Sequence, residues 1–418
     1  MIKVQVSRLN RKRLNLIFIL CTLSGGVFLH GLSFAEPIAG NQQCTRAPNH
    51  WTDQVFAQLP KEIQSVLNKT QLVIMNCDSK SYQSLLKRLM RLPNDRERYA
   101  EELLLRAHHF IDANESYQER LIEDIMKGST GIYDPSTRVI YIRSQLTKKE
   151  RNRTLLHELI HAWQDVHWDL GQRLLMLNQQ GSDRYDERLA LRALLEGSTQ
   201  FIIWLVEDGS LTHVNERISW FESQRLTIDH SKIKALLLEP YLVGLRYTQW
   251  VMKSSWSWKY VSLLYESVPS TTADILHPRR RNLIKDQEYP SAKILVQQSQ
   301  QTQQDSMLWE GQLGELHLRI LLSQTLDLNV AFAAAEGWID DWTYVIGSPQ
   351  AQLSCTLSIW DSAFDALDFE RAISNWFKQD SRNPKYSILR NKNQVSFCLS
   401  TRSDVTLNQR VKTLMHAK

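Results

Sequence analysis

Residues 155–165 read LLHELIHAWQD, and the rest of the chain is best read outward from them. His157 and His161 are four residues apart, so an α-helix places both imidazoles on one face, about one turn apart. That geometry lets both bind a single Zn2+ ion. Glu158 sits beside the first His without competing for the ion, placed to take a proton from a water that the ion activates. The flanking Leu155, Leu156, Leu159 and Ile160 are apolar. Two imidazoles and an acid within a buried helix are costly unless the site gives them a task. Thr147 and Glu150 fit a capping box, which predicts a helix from Thr147 to about Val166.

Upstream, Gly131–Tyr133, a turn at Asp134-Pro135-Ser136 and a β-branched, aromatic run at Thr137–Ile142 predict a β-hairpin. The strand near Val139–Ile142 is expected at the sheet edge, where it would align an extended substrate by backbone pairing. Downstream, a second helix is predicted over about Asp183–Val206. A third segment, Ile233–Lys253, is expected to be interrupted at Pro240. The SSWSWKY stretch (Ser254–Tyr260) is expected to pack over the core.

A zinc site of this type needs a third protein ligand and one open position. His167, ten residues after His157, is one candidate. A helix that simply continues turns His167 about 240° from His161 and away from it. Gln164 stands where a Gly would let the chain break and fold back. Glu196, in ALRALLEGSTQ (190–200), is the other candidate and the favoured one. Its neighbours are largely apolar, so a carboxylate there is costly unless paired or metal-bound, and Gly197 would let a neighbouring backbone approach closely. Asp165, one turn beyond His161, is expected to orient an imidazole through its other ring nitrogen, or else to be a plain surface acid. Tyr241 and His277 are candidates for stabilising an oxyanion. The alternatives are a core aromatic for Tyr241 and a turn cap for His277.

The 418 residues carry a formal charge of +5. Lys3, Arg8, Arg11, Lys12 and Arg13 account for that excess, and beyond residue 35 basic and acidic residues balance. A chain without basic excess is not expected to bind nucleic acid. Residues 1–35 read as a signal peptide: a basic start, an apolar run from Leu14, and small residues at Ser33 and Ala35 before a cut. An uncleaved anchor is the alternative. No other segment is read as able to span a bilayer, so no stable membrane insertion is expected after cleavage. Export to the periplasm or beyond follows. Cys44, Cys77, Cys355 and Cys398 then read as disulfides. Pairing by proximity gives Cys44–Cys77 and Cys355–Cys398, one of three possible connectivities.

Residues 36–128 read as an N-terminal helical region, in which His108-His109 is expected to be a surface or packed pair. Residues 129–296 read as the catalytic region, 297–306 as a solvated Gln-rich loop, and 307–418 as a C-terminal α+β region. The fold class is α+β, predominantly helical.

Several blocks resemble bacterial exported, gluzincin-like metallopeptidases. They are HELIHAWQDVHWDL (157–170), ALLEGSTQ (193–200), EPYLVGLRY (239–247), PSTTADILHP (269–278), GELHLRILL (314–322) and AAAEGWIDDWTYV (333–345). The resemblance spans about half of the mature chain. It implies a zincin-like catalytic domain with a small flanking sheet, zinc on His157, His161 and Glu196, Glu158 as general base, and a protein or peptide substrate. The last block departs from the usual form, with Ile339-Asp340-Asp341-Trp342 where Gly-Gly-Asp is expected. The alternative is an inactive envelope assembly or binding protein that keeps the metal-site fold.

Overall fold

The computed structural model describes residues 44–415 apart from 69, 90–94, 113, 226–232, 253–256, 280–288, 301–307, 349–350, 380–384 and 402–405. The signal-peptide reading, residues 301–306 of the Gln-rich loop and residues 254–256 of the aromatic stretch therefore lie outside the described residues. Trp258 and Tyr260, from the same stretch, pack against the core as expected.

The chain is predominantly helical, with two sheets. Five helices carry the residues that matter to the site: α1 (Lys148–Trp168), α2 (Tyr185–Asp208), α3 (Ile233–Met252), α4 (Thr272–Leu276) and α5 (Gly314–Ser323). Thr147 caps α1 through the reciprocal Thr147–Glu150 box, and Asp169, in the left-handed region at φ 54°, ends it.

The first sheet contains β1 (Cys44–Arg46), β2 (Val73–Cys77), β3 (Gly131–Asp134) and β4 (Val139–Arg143), in the order β1-β2-β4-β3. The expected hairpin is present as the antiparallel β3–β4 pair. Two expectations change. The N-terminal region is helical but also supplies β1 and β2, and β2 runs parallel to β4. Short apolar runs such as VIMNC cannot be told from helix by periodicity. β4 therefore lies inside the sheet, and the edge beside α1 belongs to β3, whose four residues are buried. A Cβ on Gly131 would lie 2.4 Å from Thr154 Cγ2 and 3.0 Å from Glu158 Oε1, so β3 lies directly against the motif helix.

The second sheet has the order β5-β6-β7-β9-β8, with β5 (Trp309–Gly311), β6 (Trp338–Ser348), β7 (Ala351–Trp360), β8 (Lys385–Asn391) and β9 (Gln394–Ser400). Period-2 alternation splits its side chains between two cores. Val345, Val395, Phe397 and Leu399 join the main core, whereas Trp342, Tyr344, Leu353 and Leu357 face a smaller one with helix Leu407–Met415. The disulfides are Cys44–Cys77 and Cys355–Cys398. Each joins residues directly opposite on antiparallel strands.

Three further expectations are corrected. α3 runs unbroken through Pro240, because its dense packing against α2 compensates for one missing N–H donor. Residues 297–300 belong to helix Ala292–Gln300 and not to a loop, since Ala292, Leu295 and Val296 form an apolar face that packs on the smaller core and carries the helix into the Gln tract. Ser182–Asp208 is long and apolar enough to cross a membrane, but 89% of its apolar window is buried within the protein. It is the central core helix.

The His pair at 108–109 is packed, not exposed. His108 Nδ1 lies 3.0 Å from His317 Nε2, whose ring's Nδ1 lies 3.1 Å from the Tyr185 hydroxyl. Ser354 Oγ lies 3.3 Å from His108 Nε2. This chain of buried polar groups ties the N-terminal region to α2, α5 and β7.

Candidate metal centre

The crossing of α1 and α2 creates the site. His157 and His161 project from α1, and their Nε2 atoms are 2.8 Å apart. Glu196 projects from α2, with Oε2 at 3.5 Å from His157 Nε2 and 3.4 Å from His161 Nε2. These three are the His/Cys/Asp/Glu group with metal-binding spacing among the described residues. A tetrahedral ion with ligand bonds of 2.0–2.2 Å sets its ligand atoms about 3.3 Å from one another, so the two Glu196 separations fit closely. The His–His separation is shorter.

The donor chemistry also fits a cation. All three side chains are buried, and neither Glu196 oxygen has a hydrogen-bond partner. At 3.4–3.5 Å its contacts with the imidazoles are electrostatic rather than hydrogen bonds. Burial raises the Glu196 pKa, but His161 and His157 outweigh it and hold the carboxylate down at about 2. Burial, then repulsion by His161, lowers His157 to about 4. An unprotonated His157 and an ionised Glu196 are the forms that bind a metal.

Gly residues permit the arrangement. A Cβ on Gly197 would lie 2.1 Å from the Gly244 carbonyl carbon, and one on Gly244 would lie 1.8 Å from Ala193 O. The backbones of α2 and α3 therefore touch. This contact also places Tyr241, one turn before Gly244, beside Glu196. Burial first, then the Glu196 charge, pushes the Tyr241 hydroxyl well above its ordinary pKa, so it remains a proton donor.

Glu158 is fully buried, and neither of its oxygens has a hydrogen-bond partner. Burial, then repulsion by Glu196, pushes its pKa well up. His167 lies on the exposed side at the end of α1, with its ring against Trp168. It is not part of the group. His277 lies at the end of α4 and pairs with Glu315 Oε1 at 2.8 Å, with Arg319 at 3.3 Å, both on α5. None of its contacts is with the His/Glu group.

The expected orienting role of Asp165 falls to another residue. Asp165 accepts hydrogen bonds from the Tyr133 hydroxyl at 2.8 Å and the Gln172 amide at 2.9 Å, tying β3 to the segment after α1. Gln164 orients the imidazole instead. Its Oε1 accepts from His161 Nδ1 at 2.8 Å, which fixes the ring with Nε2 facing the site. Its amide nitrogen lies 3.0–3.1 Å from Ser198 Oγ, Thr199 Oγ1 and Tyr265 Oη. A Gln three residues after His161 on a fully buried stretch was the available signal, since its amide would have to be satisfied within the core.

Two expected results follow. Glu196→Ala lowers zinc affinity by about 100-fold or more, while His167→Ala leaves it unchanged, as read by competition with a chelating dye. Loss in the His167 variant with retention in the Glu196 variant would reverse the ligand assignment. Gln164→Ala weakens zinc binding by about 10- to 100-fold by freeing the His161 ring. Unchanged affinity would show that packing and the Thr199 hydroxyl, 3.4 Å from the same ring nitrogen, suffice to hold the ring.

No family model matches the chain, and no curated protein or solved structure matches it.

Proposed function

We propose that the chain is a zinc-dependent metallopeptidase of gluzincin type. One observation carries the reading: a buried, unpartnered Glu158 carboxylate lies next to His157, His161 and Glu196, whose donor atoms converge. Bound zinc supplies a positive charge that polarises a peptide carbonyl and acidifies water. Glu158 then acts as the general base and returns the proton to the leaving amine. The Tyr241 hydroxyl beside Glu196 is a donor for the oxyanion that develops in the transition state. β3, against which Glu158 packs, is the edge strand nearest the site. His277, held by Glu315 and Arg319, is assigned no step. The two disulfides favour an oxidising compartment, and with it export.

One observation favours a second reading, a binding protein without turnover. The His/Glu group and Glu158 are all buried, so the described structure presents them closed to substrate. Zinc stoichiometry measured together with turnover of casein and a peptide library separates the two. One zinc per chain with cleavage supports the peptidase. One zinc per chain with no cleavage of any substrate supports the binding protein.

A further inference from the structure

Two arginines stand one turn apart on α2, and they have different surroundings. Arg188 donates to Glu101 Oε2 at 3.3 Å, and its guanidinium lies over the Tyr185 ring at 5.1 Å. Glu101 also accepts from the Tyr117 hydroxyl at 3.3 Å. Arg192 has no ion pair and no hydrogen bond among the described residues, and its Nε is buried without a partner. A guanidinium nitrogen left unpaired in this way is costly.

Arg192 is also one turn before Glu196 on the same helix, so the two side chains share a face, about 6 Å apart along the axis. Its positive charge acts on the hydroxyl of Tyr241, which also feels Glu196 and Glu158. The same charge reaches Tyr117 and Tyr185 on the other side. Arg192 is only half-buried, whereas the His/Glu group is buried. It is thus a solvent-reachable cation, without an acidic partner, at the border of the site.

We propose that Arg192 is the anchor for a substrate carboxylate one or two residues from the scissile bond. This rests on the peptidase reading above. The guanidinium fork matches a carboxylate with two parallel N–H···O bonds. A residue of extended chain spans about 3.3–3.6 Å, so one or two residues cover the separation between Glu196 and Arg192. The carboxylate comes either from a free C-terminus, which makes the protein a carboxypeptidase or peptidyl-dipeptidase, or from an acidic side chain, which makes it selective for Asp or Glu beside the cut.

The test uses zinc-loaded full-length protein and a neutral peptide prepared as free acid and as C-terminal amide, with an amide series carrying Asp at each of the last two positions. In the wild type, kcat/KM for one carboxylate-bearing peptide exceeds that of the neutral amide by about 10- to 100-fold. Preference for the free acid identifies the C-terminus as the source, and preference for an Asp peptide identifies the side chain. Arg192→Met brings that ratio close to one, and Arg192→Lys restores part of it. Zinc content and thermal melting of each variant show that the fold and metal site persist. Calorimetric binding of the same acid and amide peptides to zinc-free protein reads the anchor without turnover. If nothing is cleaved but the carboxylate preference in binding persists and vanishes in Arg192→Met, the peptidase reading fails and the anchor stands. A wild type indifferent to carboxylates in both assays, or an Arg192→Met variant that keeps the preference, overturns the proposal.

Discussion

Glu158→Gln is expected to lower peptide hydrolysis by about 10²–10⁴-fold while zinc stays bound at full stoichiometry. The amide has the shape of the carboxylate but cannot take up the proton. Glu158 is outside the His157–His161–Glu196 group, so the ligand set is intact in the variant. A second expectation follows from burial. Glu158 is fully buried and neither oxygen has a hydrogen-bond partner. Burial with the Glu196 charge pushes its pKa well up, so the zinc-free fold favours the neutral acid, which an amide of the same shape replaces without a change of charge. The zinc-free variant should therefore melt close to the wild-type temperature. Retained turnover would remove Glu158 from the mechanism. A large drop in melting temperature would show instead that its carboxylate has a structural partner.

Gly244→Ala is expected to destabilise the fold by about 3 kcal/mol or more, the upper part of the range for overpacking. Most added methyl groups meet side chains that can rotate away. Here the new Cβ would lie 1.8 Å from Ala193 O and 2.6 Å from Ala193 C, both backbone atoms in the middle of α2. Relief requires the two helices to separate. Glu196 and Tyr241 flank this crossing, so zinc affinity should fall together with stability. Gly197→Ala meets the same obstacle from the other side, at 2.1 Å from the Gly244 carbonyl carbon. Chemical denaturation with a zinc titration checks both effects. A Gly244→Ala protein within about 1 kcal/mol of wild type would mean that the helices do not touch there.

The sequence revealed local features well. The cap at Thr147–Glu150, the β3–β4 hairpin and the spacing of His157 and His161 each depend on residues a few positions apart. Glu196 was also legible, because an isolated acid among Leu and Ile residues must be satisfied by something nearby. His167 was legible by exclusion, since no Gly or Pro breaks α1 before it. Features set by distant parts of the chain were harder to read. Nothing in Val73–Cys77 says that it pairs with Val139–Arg143, so β4 was placed at the rim and β3 was not. Pro240 signals a break when α3 is considered alone, but α2 packs against it and the helix continues. Asp165 and Gln164 are adjacent, and only the arrangement of Ser198, Thr199 and Tyr265 around the amide shows which of them orients His161.

The buried chain from Ser354 through His108 and His317 to Tyr185 has a kinetic consequence. It joins side chains 209 and 246 residues apart in sequence, and β2 must find β4 across an intervening helical stretch. Contacts of such long sequence separation require large loops to close before they contribute any stability, which slows the final folding step. A nascent chain that stops before α5 would leave His108 and Tyr185 without His317 in an otherwise apolar interior. The molecule is therefore expected to mature late and in one cooperative step, and fragments cut near residue 300 are not expected to hold the metal site in place.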